Sequence, residues 1–264
     1  MSDTDYEFNS LLARAWDFMR GDTSGFADGP FFRLLIENHG QPALDVGCGT
    51  GRLLLDYRAA GMDVDGVDVS PEMVAICREK AQQQAIDVAI YTQAMEALDL
   101  PRQYQTIIIP SMSFQLLPDL VDAQEALRRF QAHLLPGGTL AMAIWHIKKA
   151  GEEEYGDWWL VVEKEGYEGD KTLKRWERSR FDAVSQLRHT ENKYELFKDG
   201  RRVYMELHQR SPELRSYSLR QLTAMLEDAG YVGVHAVSGL ENEPAADDDA
   251  VFYIIASKAE HAAH

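Results

Sequence analysis

The chain has 264 residues, 45% of them hydrophobic, enough for one large domain or for a domain carrying an insertion. Its 27 Lys and Arg stand against 43 Asp and Glu, and the net charge of −16 disfavours nucleic acid or an anionic membrane surface as partner. No apolar run reaches the length of a membrane span, the N-terminus lacks a secretory signal, and two cysteines without metal or disulfide spacing predict a soluble, reduced, cytoplasmic protein.

Residues 1–40 predict two helices, "DYEFNSLLARAWDFM" and a second started by Pro30 in "GPFFRLLIENHG". "PALDVG" then reads as a buried strand and "GRLLLDYRAAG" as a helix closed by Gly61. "MDVDGVDVS" is a second strand ending at Asp68. Ser70 caps the helix that follows, with Pro71 at its first position and Met73, Ile76, Cys77 and Ala81 along one face. "DVAIY" and "YQTIIIPS" are strands three and four, the latter apolar enough to be buried on both faces. A helix from about Asp119 to Leu135 precedes "LLPGG" and strand five, "TLAMAIW".

From 147 to 215 the pattern changes. "TLKRWERSRFD", "AVSQLRHTENKYELF" and "RRVYMELHQR" are extended and partly alternating, with "KDG" as a hairpin turn, so an antiparallel flap of two or three strands is expected. This segment holds equal numbers of acidic and basic residues, and the rest of the chain carries all of the excess charge. Ser218 and Gln221 then form a capping box for "LRQLTAMLEDAG", before two closing strands, "YVGVHAVSG" and "AVFYIIASK", joined by an acidic loop. The fold class is α/β: a doubly wound, mostly parallel seven-stranded sheet with an antiparallel β insertion after strand five. Its core is expected over 41–146 and 216–264.

"LDVGCGTGR", residues 44–52, places Gly47, Gly49 and Gly51 between strand one and its helix, at the carboxyl edge where open α/β sheets bind ligands. A dinucleotide fold wants G-x-G-x-x-G, but here the third glycine comes one residue early and Arg52 stands in its place. The G-x-G-x-G spacing suits a ligand without a pyrophosphate. Asp68, at the end of strand two, can accept hydrogen bonds from both hydroxyls of a ribose.

"LDVGCGTGR", "VDGVDVSPEMVAICREKA" and "LLPGGTLAM" together resemble the successive motifs of class I S-adenosylmethionine-dependent methyltransferases, in particular the small-molecule branch of quinone and amino-sugar methylases. The resemblance covers residues 42–145 and, more weakly, 216–258. It implies S-adenosyl-L-methionine as cofactor, S-adenosyl-L-homocysteine as product and a small-molecule acceptor. The loop Gly47, Cys48, Gly49 and Gly51 would run under the methionine moiety, with Asp45 holding the loop and the ammonium group. Asp68 would clasp the ribose, Val69 and Met73 would line the adenine pocket, and Gln93, Ala94 and Met95 would reach the adenine edge. The family often has Asp where Gln93 stands. Pro110 and Ser111 would lie beside the sulfonium, with Phe114 nearby. Trp16 resembles an aromatic that the family places on an N-terminal helix over the cofactor, where a cation–π contact would favour the sulfonium; residues 1–40 would then form a cap.

Methyl transfer is an in-line displacement that needs alignment, exclusion of water and, for some acceptors, a base. His146, just past strand five, is the first candidate base. His189, Tyr194, Tyr204 and His208 lie on flap strands and have equally plain packing readings. No metal is expected, because Ser111 stands where metal-dependent catechol methylases carry a carboxylate. Four of the five tryptophans fall within 145–176, and Trp145, Trp158, Trp159, Tyr167, Trp176 and Phe181 read either as an acceptor pocket or as the packing of the flap. Non-methyltransfer chemistry on the same cofactor, a regulatory binding role and a nicotinamide-dependent oxidoreductase are the rival readings.

Overall fold

The computed structural model describes residues 11–21, 23, 26, 28–145, 154–209, 213–238, 243–246 and 249–260. Their backbone falls into two compact units. One comprises 24–147 with 216–264, the other 1–23 with 148–215.

The first unit is built on β1 (Ala43–Val46), β2 (Val64–Asp68), β3 (Ile90–Thr92), β4 (Tyr104–Ile109), β5 (Leu134–Trp145), β11 (Tyr231–Ser238), β12 (Glu243–Pro244) and β13 (Val251–Lys258). The sheet order is β12-β11-β13-β5-β4-β1-β2-β3. Strands β1 to β5 pair in parallel, and β13 enters antiparallel between β5 and β11. The eighth strand, one more than expected, is the two-residue β12, which pairs Val237 and Ser238 from within the acidic link read as loop.

Period-two alternation explains why both faces are covered. Leu44, Val46, Ile107, Ile109, Leu140, Met142 and Ile144 pack on one side with α5 (Leu120–His133) and α6 (Leu219–Asp228). Ala43, Ile108, Ala141 and Ala143 point the other way, into a core closed by α2 (Asp28–His39), α3 (Arg52–Ala59) and α4 (Pro71–Gln83). Two predicted caps form as the sequence requires. Ser70 Oγ accepts from Met73 N at 3.2 Å, and Ser218 with Gln221 closes a full capping box on α6. Strand order reverses between β1 and β4, so the loops leaving those two strands flank a crevice at the carboxyl edge.

The second unit contains α1 (Leu11–Arg20) and an antiparallel sheet of β6 (Trp159–Tyr167), β7 (Lys171–Asp182), β8 (Leu187–Lys198), β9 (Arg201–His208) and β10 (Leu214–Arg215). The Asp199-Gly200 turn between β8 and β9 has both residues at positive φ, 50° and 73°, as a two-residue hairpin demands. Strand β6 has no clean alternation in sequence: Trp159 and Leu160 are both exposed, and its register with β7 slips at two bulges. Leu11, Leu12, Ala15 and Met19 of α1 pack on Tyr167, Leu173, Tyr194 and Leu196. The two N-terminal helices thus belong to different units. Helix α1 completes the core of the antiparallel unit, whereas α2 is tied to α3 of the parallel unit by Tyr57 OH donating to Gly29 O at 2.7 Å.

Candidate functional site

The loop after β1 is built from its backbone outward. Gly47 N and Cys48 N both donate to Val67 O, at 2.8 and 3.1 Å, which turns the chain across the end of β2. Gly49 N then donates to Asp68 Oδ2 at 2.8 Å, while Ser70 N donates to Asp68 Oδ1 at 2.9 Å. One carboxylate thus fixes the glycine loop to the start of α4. An ionised carboxylate has about four acceptor positions, so both oxygens can still receive further donors. Burial nevertheless raises the Asp68 carboxyl above its ordinary value, against the pull of these backbone donors.

The three glycines answer different needs. A Cβ on Gly47 would lie 2.6 Å from Ser113 Oγ, and one on Gly51 would lie 2.5 Å from Cys77 Sγ and 2.8 Å from Leu55 Cγ. Those two positions are closed by the protein itself. At Gly49, φ is +55° and a Cβ would meet nothing within 4 Å. Only this glycine faces open space, on the side a ligand would use. Gly51→Ala should lower stability by roughly 3 kcal/mol, combining left-handed strain with overpacking; a denaturation midpoint unchanged from wild type would contradict the packing reading.

Asp45 shares the face of β1 occupied by Ala43 and is only 2% exposed. Its Oδ1 has no hydrogen-bond partner among the described residues. Burial pushes its carboxyl up to about 7; the Arg52 guanidinium opposes this, and Asp68 and Asp28 add to it. The Leu54 backbone N–H donates to the same carboxylate, so one oxygen is left over, and a buried, half-satisfied carboxylate at the carboxyl edge of a sheet is a demand for a cationic donor. Arg52 does not meet that demand by a hydrogen bond, because its guanidinium grips Asp28 with Nη1 at 3.0 Å from Oδ1 and Nη2 at 2.5 Å from Oδ2. This fork pins the start of α2 to the start of α3, and Arg52 Nη2 also lies 3.4 Å from Ser111 Oγ.

The other wall of the crevice is the loop after β4. Ser111 and Met112 are both left-handed, with φ of 55° and 65°, a conformation non-glycine residues adopt at a cost. Ser113 holds it, its Oγ donating to Pro110 O at 2.9 Å while its side chain fills the space against Gly47. Gln115 is fully buried and extends the strand ladder with its amide. Nε2 donates to Trp145 O at 2.8 Å and Oε1 accepts from Trp145 N at 2.7 Å. The end of β5 is thereby fixed to the β4 loop.

The remaining expected contact residues fall into distinct environments. Val69, 44% exposed, flanks Asp68 at the surface, whereas Met73 is buried under the α4 cap. Gln93 uses both ends of its amide on Asp99, accepting from its N at 2.8 Å and donating to its O at 3.1 Å, which closes the 93–99 loop around Ala94 and Met95. Its side chain is therefore first a loop staple. Cys48 is buried, and the Cys77 thiol beside it together with burial raises its thiol well above the usual range, so Cys48 is not a reactive thiolate. Phe114, expected beside the sulfonium, instead lies in the main core with its ring 5.6 Å from Tyr217. The 3-10 turn after Met112 directs Phe114 inward.

In the antiparallel unit, Trp16 packs on the α1 core with the Arg20 guanidinium 4.6 Å over its ring. Tyr194 is buried, His189 Nδ1 lies 2.6 Å from Glu213, and Glu206 receives both Tyr204 OH at 2.7 Å and His208 Nε2 at 2.5 Å. Arg178 stacks 4.8 Å from Trp158, and Lys193 lies about equally close to Trp158 and Trp176, at 5.1 and 5.0 Å. His146 lies outside the described residues. The sequence reading missed Asp28, Ser113 and Gln115. Their roles depend on partners 24, 66 and 30 residues away and leave no local signal.

The residues present fit S-adenosylmethionine: a half-satisfied buried carboxylate for an ammonium, an open glycine amide loop, and a carboxylate with spare acceptor positions for a ribose. Comparison with known proteins agrees. Residues 43–138 match the family described as Methyltransferase domain. The chain is 30% identical over 114 residues to dTDP-3-amino-3,6-dideoxy-alpha-D-glucopyranose N,N-dimethyltransferase from Streptomyces fradiae, covering 42% of this chain and 43% of that protein. It is 33% identical over 101 residues to a ubiquinone biosynthesis O-methyltransferase from Coxiella burnetii, covering 38% and 42%. The chain thus spans about two fifths of the length of these curated relatives. The fold is also that of the sugar N-methyltransferase KedS8 from a Streptoalloteichus species, with a TM-score of 0.72 at 20% identity over 98% of this chain and 97% of that one. No described helix is long and apolar enough to cross a membrane. Over residues 43–138, then, this chain is similar to methyltransferase domains, and its fold is one that solved methyltransferases share.

Proposed function

We propose that the chain transfers a methyl group from S-adenosylmethionine to a nitrogen or oxygen of a small-molecule acceptor, with an amino-sugar amine as the favoured class. The observation that carries this reading is the carboxyl-edge constellation of Asp45, Gly49 and Asp68, with one buried carboxylate whose Oδ1 is unpaired among the described residues and one carboxylate already holding the open glycine. The cofactor supplies an electrophilic methyl on a sulfonium. Asp45 holds the ammonium, Asp68 the ribose, and Gly49 leaves room for the chain between them. Val69 and the Gln93–Met95 loop border the adenine. The strained Ser111 loop and the end of β5, joined through Gln115, set where the acceptor can approach.

An amine acceptor with a free lone pair needs no strong base, which fits a site without a catalytic triad. The amino-sugar class is supported by the names of the Streptomyces relative and of KedS8. The acidic charge supports a partner that is neither nucleic acid nor membrane, and the free buried cysteines support a reducing, cytoplasmic setting.

The test is calorimetry followed by mass analysis. S-adenosylhomocysteine should bind and NAD should not, and incubation with S-adenosylmethionine and a panel of amino sugars and quinols should give a product heavier by one methyl group. Binding of NAD in preference to S-adenosylhomocysteine would overturn the reading. On the acceptor so found, His146→Ala should reduce turnover tenfold or more if that side chain acts as base; unchanged turnover removes it from the mechanism.

A further inference from the structure

Strand β9 is the outer strand beyond β8 and pairs with no other described strand, so its second row of backbone groups has no ladder partner among the described residues. Edges of this kind are ordinarily blunted by charge, brevity or proline. Here Arg201 and Arg202 are exposed at the start of the strand, and the exposed positions beyond them are Val203, Tyr204, Met205 and Leu207. Val203 is 54% exposed, Met205 48% and Leu207 44%, and Tyr204 on the opposite face is 42% exposed. Met205 and Leu207 share a face by alternation, and Val203 sits at a bulge in the β8–β9 register.

We propose that β9 is a self-association edge, at which a second copy of this chain docks antiparallel about a two-fold axis at Met205 and continues the β6-β7-β8-β9 sheet. The strand is self-complementary, which selects a second copy as the occupant. With the axis at Met205, Val203 faces Leu207 of the other copy, Met205 faces Met205, and Tyr204 faces Glu206. An isologous pairing therefore covers every exposed apolar side chain of the strand at once. An axis at Glu206 would set two carboxylates directly opposite, and one at Tyr204 would leave Leu207 against Arg201. Charge points to the same place. The chain carries −16, yet residues 147–215 are balanced, so this unit is where two acidic copies can meet without concentrated repulsion. The inference is independent of which acceptor is methylated.

Sedimentation equilibrium of the full chain at micromolar concentration tests it, with Met205→Lys as the disrupting variant and S-adenosylhomocysteine binding as the folding control. A dimer that becomes a monomer in Met205→Lys with ligand binding retained is the expected result. A wild-type monomer overturns the proposal. A dimer that survives Met205→Lys overturns it too. The register is read with Met205→Cys, which puts two thiols on directly opposite positions of an antiparallel pair and should form an intermolecular disulfide under mild oxidation. The native cysteines are both buried and give little background. Tyr204→Cys, which would face Glu206 of the other copy, should crosslink at least tenfold less; equal crosslinking of the two variants rejects the axis at Met205.

Discussion

Asp45→Asn should make the unliganded protein more stable at pH 8 while weakening S-adenosylhomocysteine binding about 100-fold. The two halves have one cause. A carboxyl buried and pushed up to about 7 binds its proton more tightly in the folded chain than in the unfolded one. Stability is therefore highest at acid pH, falls as pH rises from an ordinary carboxylate value toward 7, and stays low above it. At about 1.4 kcal/mol per pH unit, that interval is worth roughly 4 kcal/mol. Asparagine keeps the shape and removes the charge. Even if half of the cost is recovered, the melting temperature at pH 8 should rise by about 5 °C, with the gain shrinking toward pH 4.

The binding loss follows from removing one partner of a buried charge pair, which typically costs about 2–5 kcal/mol. Because an ammonium on Asp45 favours the carboxylate, wild-type affinity for S-adenosylhomocysteine should increase from pH 6 to about 7 and then level off. The variant should show no such dependence. Adenosine lacks the amino-acid end and should bind both proteins alike. A destabilised variant at pH 8 with full affinity for S-adenosylhomocysteine would place the ammonium elsewhere.

Asp68→Ala carries the opposite signature. Its carboxylate holds Gly49 N and Ser70 N, so the variant should lose about 1–2 kcal/mol of stability. Two charge-assisted hydrogen bonds to ribose hydroxyls would go with it, at about 1.5–3 kcal/mol each. Affinity should fall roughly 100-fold or more for S-adenosylhomocysteine and, in contrast to Asp45→Asn, for adenosine as well. The discriminating measurement is the adenosine titration. If adenosine binds the Asp68→Ala protein as tightly as wild type, residue 68 only organises the loop and the ribose lies against another group.

Much of the fold and part of the site were legible in the sequence because they rest on local patterns. The alternation of "YQTIIIPS" and "TLAMAIW" specifies strands buried on both faces, and it is the same alternation that sends Ile107 and Ile108 to opposite cores. Ser70 and the Ser218–Gln221 pair announce their helices within four residues. The G-x-G-x-G spacing and Asp68 at the end of the next strand could be read as a nucleoside site because both lie at fixed offsets from strand ends.

Other features had no local signal. Three glycines of like appearance separate into one that faces open space and two required by Ser113 and Cys77, which only the packing reveals. Gln93 reads as a ligand contact and proves to be occupied by Asp99. Phe114, which the resemblance puts near the sulfonium, lies in the core, where the chain is turned by two consecutive left-handed residues, Ser111 and Met112. Neither residue type advertises positive φ.

By itself, then, the sequence determined the alternating α/β order, the caps, and the glycine and acidic residues of the carboxyl edge, since each is a matter of periodicity or of neighbours a few positions apart. Only the tertiary structure decided that Asp45 is buried with its Oδ1 unpaired among the described residues, that Arg52 is committed to Asp28, that Gln115 locks the end of β5, and that the apolar residues of β9 lie on an open edge. Those properties depend on desolvation and on partners distant in the chain, and burial and long-range pairing exist only once the chain has folded.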